Sequence, residues 1–329
     1  MATMRAVVIE AHDLSSAQVR EVPRPQPQSS QVLVRMESSP INPSDLQYIL
    51  GHYALKPTFP AIPGFEGAGT VIESGGGLLG SSLVGKRVGV VTPGTWAEYV
   101  VIEAESCMPL KDEVDFDQAS CIFINPMTVL MFKEVIKEGK HKACVQTAAN
   151  SALGRMLIRI CRLEGIPTIN IVRSEQSAQV LRDEGAENVL VSSAEDFAGA
   201  LKALCTQFEA TVAFDAVGGE LTGKVLAGLI NGGVVYVYGL LSGQPSTGIS
   251  AADVIFCGKK LAGLWLSQWF PTKNAWTKQA LVSEVQDHLN GALKSEIAGH
   301  FTLEQIQAAL AAYTTNMSAG KTLIHQNRH

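Results

Sequence analysis

The 329-residue sequence lacks several features that would point to whole classes of protein. No stretch approaches the run of about 18 apolar residues that a membrane-spanning helix needs. Basic residues are not in excess, because 26 Lys and Arg stand against 31 Asp and Glu, so neither nucleic acid nor a membrane is expected as a partner. The N-terminal residues form neither an apolar signal nor an Arg-rich leader, which predicts a cytoplasmic protein. A mitochondrial-matrix protein from which a leader had been removed would look the same.

The six cysteines contain no C-x-x-C pair and are widely scattered along the chain. Cys144 and Cys161 fall on a predicted strand and a predicted helix, at positions where small buried hydrophobic residues belong. We therefore predict that the cysteines are reduced core residues and that they provide no zinc framework.

The strongest local pattern covers residues 143–173. Residues 143–147 form a short apolar run typical of a buried parallel strand, and a loop of small residues follows it. Apolar residues then recur at helical spacing as far as Gly165, and residues 168–172 read as a second buried strand. A β-α-β unit with small residues between strand and helix lets a phosphate approach free backbone N–H groups, so the pattern predicts dinucleotide binding.

The glycine fingerprint of such sites is incomplete here, because Gly154 alone occupies a G-x-G-x-x-G position, that of the last glycine. At the end of the second strand, where an NAD site places an acidic residue, the chain has Arg173. A guanidinium there suits a 2′-phosphate, which predicts NADPH as cofactor. The alternative is that the Arg173 side chain is simply exposed to solvent at the end of the strand and binds no phosphate.

The pattern along the chain predicts an α/β protein of two domains. Residues 1–124 read as short strands separated by Pro and Gly, typical of a barrel-like domain. Residues 125–267 alternate between helices and strands, as in a doubly wound parallel sheet. The helices and strand of residues 268–329 follow a complete dinucleotide-binding domain, so we expect them to rejoin the first domain.

This order of domains resembles the medium-chain dehydrogenase/reductase superfamily over essentially the whole chain. The resemblance implies a GroES-like β-barrel catalytic domain and a Rossmann domain. Zinc-dependent members hold their metal with Cys and His, whereas the matching sequences here read INPSD and PGFEG and place Asn42 and Phe65 at the ligand positions. The chain is thus similar to the zinc-free branch, and no metal is expected.

Within that branch the chain most resembles the mitochondrial-type trans-2-enoyl-thioester reductases. The matching segments are INPSDLQYILGHY, GTWAEYVV, INPMT, AANSALGR, TINIVR and GLWLSQW. The resemblance implies cofactor contacts from Asn125, Asn150, Ser151, Ala152, Leu153, Arg173, Ser174, Glu175, Tyr238, Gly239, Leu240, Leu241, Leu264, Trp265, Leu266, Ser267 and Lys321. Ser174 and Glu175 replace a more basic neighbourhood, which predicts a weaker preference for NADPH than in relatives.

The same resemblance implies that Tyr53 acts at the substrate carbonyl. The expected substrate is an enoyl thioester carried on coenzyme A or acyl carrier protein, and the expected assembly is a homodimer. Trp265 and Trp269 either wall an acyl pocket or belong to the core. Two alternatives remain, an NADPH:quinone oxidoreductase and a catalytically idle nucleotide-binding subunit.

Overall fold

The computed structural model describes residues 2–326. They divide into two compact units. The first unit combines the residues up to 126 with those from 282 onward, and the second unit comprises residues 127–281. No helix of the described chain is long and apolar enough to cross a membrane.

The N-terminal part of the first unit is built mainly from strands. Its strands are β1 (Thr3–Val8), β2 (Gln18–Pro23), β3 (Gln31–Pro40), β4 (Glu66–Ser74), β5 (Arg87–Val91), β6 (Tyr99–Glu103) and β7 (Met108–Pro109). Its helices are α1 (Pro43–Ile49), α2 (Leu78–Leu83) and α3 (Phe116–Ser120).

The second unit alternates between helices and strands. Its helices are α4 (Ile124–Glu138), whose first three residues belong to the first unit, α5 (Ala152–Leu163), α6 (Glu175–Asp183), α7 (Phe197–Gln207), α8 (Glu220–Gly228), α9 (Ala251–Ile255) and α10 (Leu266–Trp269). Its strands are β8 (Cys144–Gln146), β9 (Thr168–Val172), β10 (Val189–Val191), β11 (Val212–Asp215), β12 (Val234–Val237) and β13 (Lys260–Gly263). The chain continues through α11 (Ala275–His288), β14 (Ile297–Thr302), α12 (Ile306–Thr315) and β15 (Lys321–His325).

The second unit contains a six-stranded parallel sheet in the order β10-β9-β8-β11-β12-β13. Most residues of its strands are apolar, as is usual for parallel sheets, whose faces are covered by helices. Phe132 of α4 stacks on Phe214 of β11 with ring centroids 4.0 Å apart. Such an aromatic pair adds about 0.5–1.5 kcal/mol beyond the apolar area that it buries. The doubly wound sheet predicted from the sequence is therefore confirmed.

The first unit contains a mostly antiparallel sheet in the order β14-β15-β3-β4-β5-β7, with β6 paired to β3. Strands β14 and β15 come from the C-terminal part of the chain and pair in parallel, and β15 lies antiparallel to β3. Trp96 is fully buried in the core of this unit, and its indole N–H donates to the Pro40 carbonyl over 3.2 Å. The C-terminal residues thus supply strands to the N-terminal sheet.

The second junction between the units lies 14 residues later than the sequence suggests, at 281/282 and not at 267/268. The Trp269 indole donates to Glu134 Oε1 of α4 over 2.9 Å, and the Lys273 ammonium binds the same carboxylate. These bonds tie the segment that follows the Rossmann sheet to the second unit. The first junction, at 126/127, differs from the expected position by two residues.

The described cysteines form no disulfide, and all except the partly exposed Cys257 are buried. Cys144 and Cys161 lie with their sulfur atoms 4.0 Å apart, too far for a covalent bond. Burial raises the pKa of the Cys107 thiol to about 12 and that of Cys121 to about 11. These thiols remain protonated and act as small apolar side chains.

Candidate active site

Three of the predicted cofactor segments follow strands of the parallel sheet. Asn150 follows β8, Arg173 follows β9 and Tyr238 follows β12. Because all these strands are parallel, their carboxyl ends lie at one edge of the sheet. The fold therefore brings these segments of the second unit to a common edge, which is where open α/β sheets bind their ligands.

The loop between β8 and α5 has the features of an anion-binding turn. Ser151 is the N-cap of α5, and its hydroxyl accepts from the Gly154 N–H over 3.1 Å. A Cβ on Gly154 would stand 2.5 Å from the Ala149 carbonyl oxygen, so only glycine permits this approach of helix to strand. Ala148 has a φ of 50°, a left-handed conformation that is uncommon for a residue with a Cβ atom.

Asn150 carries the clearest sign that this loop receives a ligand. Its side-chain oxygen Oδ1 is buried and has no hydrogen-bond partner among the described residues. A buried acceptor without a donor costs about 1–3 kcal/mol, so such atoms are rare unless a ligand or water completes them. A ribose hydroxyl or a carboxamide N–H would supply the donor.

Arg173 is exposed and forms no ion pair with a described residue. The next residue, Ser174, is the N-cap of α6 and accepts from the Ser177 N–H over 3.3 Å. Glu175 forms an ion pair with Arg182 along α6, which partly neutralises the acidic group beside Arg173. The guanidinium of Arg173 is thus available to an anionic ligand such as a 2′-phosphate.

A cavity of about 480 Å³ opens where β12 and β13 end. Five of the predicted cofactor residues line it, namely Tyr238, Gly239, Leu240, Leu264 and Trp265. The lining is completed by Val237, Gly263 and Gln268. The sequence did not identify these three residues as part of a site. Gln268 stands three residues after Trp265, a helical spacing that would have identified it once residues 266–269 were known to form a helix.

The two tryptophans of this segment have different surroundings. Trp265 lines the cavity and is 38% exposed. Trp269 is not among the lining residues, and its ring is fixed by the bond to Glu134 and by the Lys273 ammonium 4.5 Å from the ring centroid. Three other predicted positions do not line the cavity. Leu241 is exposed, whereas Leu266 and Ser267 are the first two residues of α10.

Asp215 holds the loop after β11 in place, a role that the sequence did not reveal. Its fully buried carboxylate accepts from the hydroxyls of Thr147 and Thr222 at 2.7 and 2.6 Å, and from the Val217 N–H at 2.9 Å. Charge-assisted bonds of this kind are the strong ones in a protein interior. They fix the backbone beside Tyr238, whose pKa is raised by burial and by the nearby Asp215 charge.

In the first unit a buried polar cluster surrounds the Asn42 side chain. The Nδ2 of Asn42 donates to Glu66 Oε1 over 2.9 Å, and its Oδ1 accepts from the Lys321 ammonium. Glu66 Oε2 accepts from the Ile124 N–H over 2.8 Å, and its Oε1 lies 4.0 Å from Lys321 Nζ. The positive charge of Lys321 is therefore matched by Glu66 inside the unit, as buried charges require.

Asp45 adjoins this cluster and is also fully buried. Its carboxyl accepts from the Asn42 N–H over 2.7 Å. Burial, assisted by the negative charge of Glu66, raises the pKa of Asp45 to about 8, although the Asn42 bond and Lys321 oppose the shift. At neutral pH this carboxyl is mostly the uncharged acid.

Tyr53 lies in the loop after α1, partly buried against the core of the first unit. Its ring is 5.3 Å from that of Phe65, which contacts Tyr48 on another side at 5.2 Å. Phe65 therefore connects the phenol of Tyr53 to the segment that carries Glu66. Asn125, predicted to contact the cofactor, is buried near the start of α4.

Comparison with known proteins identifies the family. Residues 28–112 match the model for the alcohol dehydrogenase GroES-like domain, and residues 152–283 match that for zinc-binding dehydrogenases. A mitochondrial enoyl-[acyl-carrier-protein] reductase of Arabidopsis thaliana is 34% identical over 274 residues, which cover 80% of this chain and 72% of the relative. The chain belongs to the medium-chain dehydrogenase/reductase superfamily.

Solved structures agree with this assignment. A putative NADPH:quinone reductase from Mesorhizobium loti has a TM-score of 0.92 and 28% identity, with 99% of each chain covered. Etr1p in complex with NADP and crotonyl-CoA has a TM-score of 0.82 over 99% of this chain and 100% of the other. At 23% identity, that second likeness shows the fold alone.

Membership of the superfamily makes the chain a nucleotide-binding oxidoreductase with a GroES-like domain and a Rossmann domain. The residues at the sheet edge fit such a cofactor, because the buried Oδ1 of Asn150 needs a hydrogen-bond donor and the exposed Arg173 guanidinium suits an anionic group. The individual residue roles stay predictions, including that of Lys321, whose ammonium is engaged by Asn42.

Proposed function

We propose that this protein uses NADPH to reduce the C=C bond of a trans-2-enoyl thioester without a catalytic zinc ion. The similarity to mitochondrial enoyl-[acyl-carrier-protein] reductases supports the substrate class. The side chains of Asn42 and Phe65 support the absence of zinc, because neither provides the thiolate or imidazole that zinc-dependent members use.

The observation that carries the proposal is the position of Tyr53 on the Phe65 ring, at the segment where zinc-dependent members bind their metal. Reduction of a conjugated C=C bond places negative charge on the thioester oxygen as an enolate. The Tyr53 phenol would donate a hydrogen bond to that oxygen and stabilise the charge as it develops. The reduced nicotinamide, when bound, supplies the hydride.

The reaction also needs a proton, which comes from the protein or from water. The β-carbon gains a hydride and the α-carbon gains a proton, so one proton must enter for each double bond reduced. Tyr53 or a water molecule would deliver it, and the phenol would regain its proton from solvent. Asn150 and Arg173 would hold the cofactor through the buried oxygen and the exposed guanidinium described above.

The proposal extends to the carrier, the assembly and the location. The thioester would be carried on coenzyme A or on acyl carrier protein, and the protein would act as a homodimer. We propose the cytoplasm as its location. The mitochondrial relatives support the mitochondrial matrix as the alternative.

The second candidate is an NADPH:quinone oxidoreductase. The observation that favours it is the TM-score of 0.92, over 99% of both chains, to a putative enzyme of that name. A quinone needs the same cofactor edge but no donor positioned on a thioester oxygen. The two functions therefore differ in their dependence on Tyr53.

The substitution Tyr53→Phe tests this difference. We expect kcat for crotonyl thioester to fall by about 10²-fold or more, as loss of one oxyanion donor typically causes. Quinone reduction and NADPH affinity should change far less. Tyr48→Phe is the matched control, because Tyr48 contacts the same Phe65 ring but has no proposed catalytic role.

The measurement is steady-state turnover of both substrates by all three proteins at saturating NADPH, with and without a metal chelator. An unmutated protein that reduces quinone but not the thioester would replace the first function by the second. Thioester reduction that survives Tyr53→Phe would remove the phenol from the mechanism. Loss of activity in chelator without any change in Tm would contradict the absence of a catalytic zinc ion.

A further inference from the structure

Three potential metal ligands of the first unit converge away from the Asn42 cluster. They are Asp117 of α3, His300 of β14 and His325 of β15, with one ligand atom from each lying within 4.8 Å of the others. His300 Nε2 is 2.7 Å from Asp117 Oδ2, and His325 Nε2 is 3.5 Å from Asp117 Oδ1. A single carboxylate thus faces two imidazoles.

The strand register explains why the imidazoles meet. Strands β14 and β15 are parallel, with His300 opposite Leu323 and His325 opposite Thr302. The two histidines are therefore offset by two residues, a spacing that keeps side chains on the same face. Their ring centroids lie 5.0 Å apart with a tilt of 30°.

The hydrogen bond of His325 fixes which nitrogen faces Asp117. Its Nδ1 lies 3.3 Å from the Glu37 carbonyl oxygen, which only accepts, so Nδ1 carries the proton. In the neutral ring, Nε2 then presents its lone pair toward Asp117. Metal-binding histidines commonly donate their second nitrogen to a backbone carbonyl in this way, which orients the ring.

We propose that Asp117, His300 and His325 form a binding site for a divalent transition metal ion, and we take zinc as the ion to test. Two imidazoles and a carboxylate select such ions over Mg²⁺ and Ca²⁺, which prefer all-oxygen sites. The site is unrelated to the proposed catalysis and departs from the sequence-based expectation of no metal, which rested on the ligand positions at Asn42 and Phe65.

The geometry requires only a small adjustment around His300. Zinc bonds of about 2.0–2.2 Å to N and O place tetrahedral ligand atoms roughly 3.4 Å apart. The separation of His325 Nε2 from Asp117 Oδ1, at 3.5 Å, already meets this value. The His300 side chain is 44% exposed, so it can withdraw from its 2.7 Å contact with Asp117 to admit the ion.

Bound metal would link helix α3 to strands β14 and β15. Three protein ligands leave a fourth position for water at the exposed side of the site, next to His300. Because the ligands come from residues 117, 300 and 325, the ion would bridge the N-terminal and C-terminal parts of the first unit. Its role would be to stabilise that unit.

The experiment titrates the intact, chelator-treated protein with ZnCl₂ by calorimetry and with CoCl₂ by visible absorption. We expect one Zn²⁺ per chain, a Co²⁺ spectrum typical of tetrahedral nitrogen and oxygen ligands, a raised Tm with Zn²⁺, and no binding of Mg²⁺. His300→Ala and Asp117→Asn should each weaken zinc binding by at least about 100-fold, more than loss of an outer-shell partner does. His288→Ala is the matched control and should bind zinc like the unmutated protein.

Two variants keep the test independent of folding, because His300 is exposed and Asp117→Asn preserves the shape of the side chain. Circular dichroism would verify that both remain folded. Absence of stoichiometric zinc binding would overturn the proposal and leave the cluster as a set of hydrogen bonds between histidine rings and a carboxylate. Unchanged affinity in both variants would also overturn it by placing the zinc elsewhere.

Discussion

Lys321 shows how a single residue balances charge inside the first unit. Its side chain is 5% exposed, yet its ammonium is bound by Asn42 and lies 4.0 Å from Glu66 Oε1. With Asp45 protonated at neutral pH, the cluster contains one positive and one negative charge. Removing one member of such a pair typically costs about 3–5 kcal/mol, because the other charge stays buried.

Asp45 gives the cluster a measurable pH dependence. The folded-state pKa of about 8 exceeds the unfolded value near 3.8, so between these values folding takes up a proton. The stability that Asp45 contributes is complete below about pH 4 and is lost as the pH rises toward 8. Asp45→Asn removes this dependence because the amide resembles the protonated acid.

We therefore expect the free energy of unfolding of the unmutated protein to fall relative to Asp45→Asn by about 1 kcal/mol per pH unit between pH 5 and pH 8. Urea denaturation of both proteins across this range measures the difference. If the two free energies of unfolding differ by the same amount at every pH, Asp45 does not change protonation on folding.

Arg173 is the residue that should set cofactor preference. One charge-assisted contact with a 2′-phosphate contributes about 1.5–3 kcal/mol, or roughly ten- to a hundred-fold in affinity. The unmutated protein should thus bind NADPH more tightly than NADH, and Arg173→Ala should shrink the ratio by about that factor. Fluorescence titration with both cofactors tests this, with Arg20→Ala as a control for loss of a surface charge in the first unit. Equal affinities in the unmutated protein would refute the role.

At the scale of elements, strand β13 is one of the two edges of the parallel sheet, and most of its residues are exposed. It pairs with β12 on one side and ends the described order of strands. Leu261 on β13 is 41% exposed, and Phe256 at the end of the preceding helix α9 is 80% exposed. Unpaired strand edges with apolar side chains readily accept another strand, so we propose that two copies of the chain associate through β13.

The substitution Leu261→Glu should convert the proposed dimer to monomer, because it places like charges on two strands related by a two-fold axis. Light scattering coupled to size-exclusion chromatography measures the mass. Trp276→Glu is the control, since Trp276 is 87% exposed on α11 and lies outside this edge. A monomeric unmutated protein, or a dimer that survives Leu261→Glu, would exclude β13 as the interface.

The elements differ in how far the sequence predicted them. Helix α5 and strands β8 and β9 were predicted to within two residues, because apolar spacing and Gly165 mark their ends. Strands β2, β13 and β14 were missed. Their burial patterns mix exposed and partly buried positions, and hydrogen bonding to the adjacent strand of the sheet, not the local sequence pattern, makes them strands.

The candidate site was predictable only in its local parts. The anion-binding loop and Arg173 follow from sequence spacing, whereas the bond between Asn42 and Lys321 joins residues 279 positions apart. The Asp117–His300 contact likewise spans 183 positions. Such contacts depend on the strand register of the folded sheet, which single-sequence patterns do not contain.

At the scale of the whole molecule, the first unit depends on residues from both halves of the chain. Strand β15 pairs with β3 and carries Lys321 into the Asn42 cluster. The second unit comprises one continuous segment, residues 127–281. Deleting residues from 290 onward should therefore unfold the first unit and spare the second.

Limited proteolysis with mass spectrometry tests this prediction. The shortened chain should yield a protected fragment close to residues 127–281, whereas the full chain should also protect the first unit. Equal resistance of both units after the deletion would show that β3 does not need β15. Complete digestion of the shortened chain would show that the second unit cannot fold alone.

The discontinuity of the first unit also has a consequence for biosynthesis. A ribosome makes the chain from the N-terminus, and domains usually fold in the order in which they emerge. Here β3 is made early, but its partner β15 emerges much later, since the paired residues Pro40 and Leu323 are 283 positions apart. The part of β3 that pairs with β15 therefore stays unpaired until the entire Rossmann unit has been translated. This interval is when the growing chain has the greatest need of a chaperone.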